Sequence, residues 1–172
     1  MAPQILSPRS AILLEKLQHQ GMSNDCGAYT SATVLHSLLG LAIKGDDLAN
    51  EMEKPVWRGL IYLVRKIPNS ATLPWGMEDV FQSHGFKARW RFFSNEDYLR
   101  EALPLEKIIM PIIGSWKPTW AHVMTLVAWD EAQGWGFANT QYPHHNIHWV
   151  DAEKFSSQWK AMARLMVEVD LG

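Results

Sequence analysis

Between Asp25 and Leu39 the apolar residues Ala28, Ala32, Leu35, Leu38 and Leu39 recur at helical spacing, which predicts an amphipathic helix. Ser23, Asn24 and Asp25 are candidate N-caps and Gly40 is the stop. Gly45 to Glu53, "GDDLANEME", reads as a short helix, and Trp57 to Ile67, "WRGLIYLVRKI", as a further apolar helical piece ending at Pro68. The first part of the chain is therefore expected to be mostly helix.

Beyond it the period changes. "PWGMEDVFQSHG" predicts a capped helix ending at Gly85, "FKARWRFF" alternates like a strand, and "NEDYLREAL" is another short helix. "KIIMPIIGSW" reads as a buried strand that Pro111 assigns to an edge or a bulge. "WAHVMTLVAWD" and "GWGFANTQY" are strand-like runs joined by a turn at Asp130 to Gln133. A strand or loop through "NIHWV", a helix "DAEKFSSQWKAMA" and a strand "RLMVEVD" follow. The sum is an α+β design in one domain spanning 1–172, helical over about 1–85 and rich in antiparallel sheet over about 86–172.

Composition narrows the function classes. A chain of 172 residues with 47% hydrophobic and 20% charged content can bury a continuous core. Its formal charge of -2, without a long run of one sign, disfavours nucleic acid and anionic membranes as partners. The start, "MAPQILSPRS", lacks the apolar stretch of a signal peptide, so a cytoplasmic location is expected. A single cysteine cannot form an internal disulfide, and a structural zinc needs several Cys or His at set spacings.

The lone thiol, Cys26, falls in the first turn of the predicted helix. A helix start lowers a thiol pKa through its free N–H groups and dipole, which is one way to make a nucleophile. The chemistry then needs a histidine to share the proton, a group to orient it, and donors for an oxyanion. His122, Asn139 and Gln20 are the candidates. If Asp130 to Gln133 make a four-residue turn, Trp129 pairs with Gly134 and His122 with Gln141. Asn139 then shares the face of His122 one diagonal step away, roughly 7–8 Å between backbones. Gly21 and Gly27 would allow close backbone approach where a substrate carbonyl must sit.

Gln20, five intervening residues and Cys26-Gly27-Ala28 resemble the glutamine and nucleophile segment of papain-like cysteine peptidases, and "AHVMTLVAWD" followed by "FANT" resembles their histidine and asparagine strands. The compact layout is more similar to bacterial peptidases related to the bacteriocin leader-processing (double-glycine) family. The resemblance implies a papain-like fold and a peptide or protein substrate, with no cofactor. It implies Cys26 as nucleophile, His122 as general base and acid, Asn139 as orienter and Gln20 as oxyanion donor. Tyr29 and Thr30 depart from it, standing where papain-type enzymes carry Cys and Trp, and Asn139-Thr140 stands where the compact group often has Asp-Pro.

Other residues carry competing readings. Trp116 and Trp120 are core aromatics or, with Gly27, line a substrate site for an apolar side chain. His36 lies about 15 Å along the helix axis from Cys26, too far for a base. His144, His145 and His148 sit in a loop context without an HExxH glutamate, so no metal site is expected. The same triad could serve acyl transfer to an amine, and the same fold could serve as a non-catalytic peptide-binding module.

Overall fold

The computed structural model describes residues 4–172. In chain order the elements are β1 (Ile5–Leu6), α1 (Ser10–Glu15), α2 (Cys26–Leu39), α3 (Gly45–Met52), β2 (Val56–Arg58), β3 (Ile61–Leu63), α4 (Pro74–Ser83) and β4 (Lys87–Arg91). Then come α5 (Glu96–Ala102), β5 (Lys107–Trp116), β6 (Thr119–Val123), β7 (Thr125–Asp130), β8 (Gly134–Ala138), β9 (His148–Val150), α6 (Ala152–Ala161) and β10 (Met166–Asp170). One sheet has the order β1-β7-β8-β9, another β4-β10-β5-β6, and β2-β3 is a separate hairpin. This is the expected α+β architecture. No helix among the described residues is long and apolar enough to cross a membrane.

The predicted α2 forms as its spacing requires, burying Ala28, Ala32 and Leu35, and it stops at Gly40 in the left-handed conformation, φ 68°. Its buried side packs with α1, α3, α4 and the apolar side chains Ile108, Met110 and Ile112 of β5. The other face of β5 sends Ile109 and Ile113 into a second cluster with Phe137, Phe155 and Trp159. Burial on both faces is why this strand reads as an unbroken apolar run rather than an alternation.

Three expectations are corrected. Trp57 to Ile67 is not a helix: β2 and β3 pair as a hairpin with Trp57 opposite Tyr62, and Gly59 turns the chain at φ 60°. Its apolar residues face solvent, Leu60 almost completely and Ile61 by 65%, so no buried helical stripe holds them. The strongest local signals were instead the aromatic and β-branched residues around a turn glycine.

Second, β5 is an interior strand between β10 and β6. β10 pairs with it only up to Pro111, and β6 only from Ile112. Pro111 accepts the Met124 N–H through its carbonyl at 3.4 Å but has no N–H to return. The ladder therefore ends there, and the run "WAHVMTLVAWD" divides at Met124 into β6 of one sheet and β7 of the other.

Third, the β7–β8 connection is three residues long, with Asp130 opposite Gly134. The Asp130 carboxylate accepts the N–H groups of Ala132 and Gln133 at 2.9 and 3.0 Å, closing the turn locally. A bulge between Leu126 and Ala128 then shifts the register, so that Thr125 pairs with Ala138.

Candidate active site

Cys26, His122, Gln20, Trp116 and Trp120 all line one cleft of about 470 Å³. Cys26 comes from the start of α2, His122 from β6, and Gln20 from the turn before α2. α2 is tied to the neighbouring strand by Thr30, whose hydroxyl donates to the Val123 carbonyl at 3.4 Å. Tyr29 hydrogen-bonds Asp46 of α3 and its ring lies where a side chain on Gly45 would go. The two residues that depart from the papain pattern thus anchor the helix to two different neighbours, α3 and β6.

His122 and Asn139 are both buried, and His122 Nε2 lies 2.8 Å from Asn139 Oδ1. The same oxygen accepts the Gln141 backbone N–H at 3.0 Å. An N–H can only donate, so this atom is the amide oxygen, and His122 Nε2 must carry its proton toward it. Nδ1 is then the basic nitrogen of the neutral ring.

Gln20 is held on every side. Its carbonyl oxygen accepts the Thr140 hydroxyl at 2.6 Å, its Nε2 donates to Ser23 O at 2.9 Å, and its backbone N–H donates to Thr140 O at 2.9 Å. One amide N–H remains for the cleft. Thr140 was missed in the sequence, where only its neighbour Asn139 stood out. It joins the two walls of the cleft by fixing Gln20 from the end of β8.

The roles expected of two glycines change. Gly21 has φ 62° and open space around it, so it serves the Gln20–Ser23 turn rather than a close approach. Gly27 does not line the cleft: a Cβ there would come within 2.4 Å of the Thr72 Cβ, so the glycine admits Thr72, which does line it.

The electrostatics also differ from the helix-start expectation. Burial pushes the Cys26 thiol above its ordinary value, and the charge of Asp25 adds to this. Backbone hydrogen bonds at Val123 and Gly27 pull the other way without reversing it. His122 is lowered, first by burial and also by His148, against the raising effect of Asn139. Both shifts favour an uncharged thiol and imidazole near pH 7.

Trp116 is 69% and Trp120 36% exposed, and the Trp116 indole N–H donates to Ala161 O at 2.8 Å. The remaining Trp116 surface on offer is apolar. His144 and His148 pack against Tyr142 at ring separations of 5.6 and 4.7 Å, and His145 Nδ1 lies 2.7 Å from the Leu14 carbonyl. His36 is half-buried on α2, outside the cleft lining.

The helix-bearing wall packed against two antiparallel sheets, with the cleft between, defines a papain-like α+β fold. A crystal structure described as that of a candidate C39-like peptidase from Bacillus anthracis matches the chain with a TM-score of 0.71 at 14% identity, covering 97% of each chain. At that identity the likeness shows the fold alone. No family model and no curated protein matches the sequence.

Proposed function

We propose that the chain, working as one domain, is a cysteine peptidase related to the bacteriocin leader-processing enzymes, with a peptide or protein substrate. The observation that carries this reading is the convergence of the only cysteine, a tautomer-fixed histidine and a clamped glutamine amide on one cleft from two distant stretches of the chain.

In this reading the substrate carbonyl sits over Cys26. Sγ attacks the carbonyl carbon while the thiol proton passes to His122 Nδ1, which the Asn139 bond leaves unprotonated. The oxyanion is met by the free Gln20 amide N–H and a backbone N–H at the start of α2. His122 returns its proton to the departing amine, leaving a thioester on Cys26. Water, activated by the same imidazole, then releases the acid. Because the resting pair is uncharged, His122 acts as a general base on substrate arrival rather than as half of a standing ion pair. Trp116 and Trp120 offer apolar surface to a substrate side chain.

The test is mass spectrometry after incubation with an acyl-electrophile probe and with a peptide library, comparing wild type with Cys26→Ala. A probe adduct on Cys26 and cleavage products lost in the variant are expected. No adduct, with identical product sets from the two proteins, overturns the reading. Adding a primary amine separates hydrolysis from acyl transfer, since only transfer yields amide-linked products.

A further inference from the structure

Asp25 occupies the N-cap position of α2, directly before Cys26, yet its carboxylate makes no capping bond to the helix. An aspartate at that position ordinarily accepts an N–H from the second or third helical residue, here Gly27 or Ala28. Instead, Asp25 Oδ1 lies 2.7 Å from Lys66 Nζ. Lys66 is 3% exposed and is held also by Glu53, the residue that caps the end of α3, at 2.8 Å. A buried ammonium shared by two carboxylates, within a segment pinned by the Lys66–Thr72 bridge, is a fixed point against which Asp25 is oriented. The same segment supplies Thr72, which fills the space beside Gly27 and lines the cleft.

We propose that Lys66 is a positioning residue that holds the Asp25 carboxylate away from the first turn of α2 and thereby sets the reactivity of the Cys26 thiol. The inference rests on the reading of Cys26 as the working thiol. With Asp25 turned toward Lys66, no capping carboxylate takes up the N–H groups of Gly27 and Ala28, and the positive helix start stays open beside the sulfur. Without the ammonium, the carboxylate is free to cap Gly27 or Ala28. It then brings an unpaired negative charge toward the sulfur and occupies helix-start N–H groups that would otherwise stabilise a thiolate.

The ionisable groups around this thiol come from each neighbouring element. Asp25 precedes it on its own chain, His122 lies on β6 with His148 beyond it, and Lys66 and Glu53 flank Asp25. Asp46 of α3 is engaged by the Tyr29 hydroxyl. Of these, Lys66 is the cation that directly partners the residue next to Cys26.

The experiment is the pH dependence of iodoacetamide alkylation, which reads Cys26 alone because it is the only cysteine. It is measured on wild type, Lys66→Met, Lys66→Arg, Asp25→Asn and the Asp25→Asn/Lys66→Met double variant, each checked for folding by circular dichroism. Lys66→Met is expected to raise the alkylation midpoint by about one pH unit, roughly ten-fold less thiolate below the midpoint. Lys66→Arg should restore it, Asp25→Asn should lower it, and the double variant should match Asp25→Asn. An unmoved midpoint in folded Lys66→Met, or a shift that persists in the double variant, overturns the proposal. Should Lys66→Met not fold, Asp25→Asn decides: a midpoint equal to wild type overturns it. Alkylation is independent of peptide turnover, so a protein without peptidase activity that shows these shifts refutes the proposed function and leaves this inference standing.

Discussion

The two walls of the cleft are built on different principles. On the helical wall, Gln20, the Gly21 turn, Asp25 and Cys26 lie in one short stretch, and their placement follows from a turn and a helix start. On the sheet wall, His122 lies on β6 of one sheet and Asn139 directly after β8 of the other. They meet because the chain leaves one sheet at Met124, where Pro111 can return no hydrogen bond. The helical wall therefore tolerates change far away and is sensitive to its immediate packing, whereas the sheet wall depends on a strand handover and a bulge. Thr140, bonded to Gln20, is the link between them.

The sharpest way to break this comparison is on the sheet wall. In the proposed function His122→Ala removes the imidazole that is hydrogen-bonded to the orienting amide, and peptide turnover should fall about a thousand-fold or more. Thermal melting should change little by comparison, and unchanged turnover would remove the sheet wall from the chemistry. Asn139→Ala should cost about 10- to 100-fold in kcat by releasing the ring, whereas Asn139→Asp keeps the acceptor oxygen and should lose much less. Equal losses in the two variants would show that orientation through Oδ1 is not what matters.

On the helical wall, Gly27→Ala drives a methyl into Thr72 and should lower unfolding free energy by about 1–3 kcal/mol, read by denaturant titration. An unchanged midpoint would mean that the 66–72 segment yields easily and does not fix this wall. Between the walls, Thr140→Val removes a buried hydroxyl donor from Gln20. It should cost about 1 kcal/mol of stability and a few-fold in kcat, with KM less affected. A change confined to KM would argue against the Gln20 amide acting on the oxyanion.

Acid titration gives the smallest and most diagnostic effects. The folded His122 pKa lies below its ordinary 6.5, so below about that pH the unfolded chain binds a proton that the folded chain refuses. Its contribution is fully present above 6.5 and is lost as pH falls through the depressed folded value. His122→Asn should flatten that part of the stability curve. Far from the cleft, Glu168 is buried in β10, and desolvation alone would raise its pKa; the Tyr98 hydroxyl, Arg89 and Lys107 outweigh it and hold it below 4.5. Its contribution is lost only at more acid pH, so the two losses should separate along a pH-dependent melt.

Much of the architecture is legible in the sequence. α2, α4, α5 and α6 follow their apolar period and caps, and β4, β5, β8 and β10 follow their alternation or apolar runs. The departures from the expected pattern have separate local causes. "WRGLIYLVRKI" is apolar without being buried, so a pattern that presumes burial assigned a helix to a solvent-facing hairpin. Pro111 predicts an edge or a bulge because a lost hydrogen bond is usually tolerated there; here it is tolerated because the chain passes from one sheet to the other opposite it, at Met124. The hairpin turn is one residue shorter than the four-residue turn the sequence predicts, and the bulge between Leu126 and Ala128 makes up the difference beyond it.

The sequence by itself determined the local devices: a thiol in the first turn of an apolar helix, a glycine that ends that helix, and an order of Gln, Cys, His and Asn residues. These depend on neighbours within a few positions, where period, capping and turn chemistry act. Only the tertiary structure decided that His122 and Asn139 meet, that Thr140 clamps Gln20, that Lys66 holds Asp25, and that burial of the thiol outweighs the lowering expected at a helix start. Each of these is set by groups distant in the chain or by the exclusion of water, and neither leaves a periodic trace along the sequence.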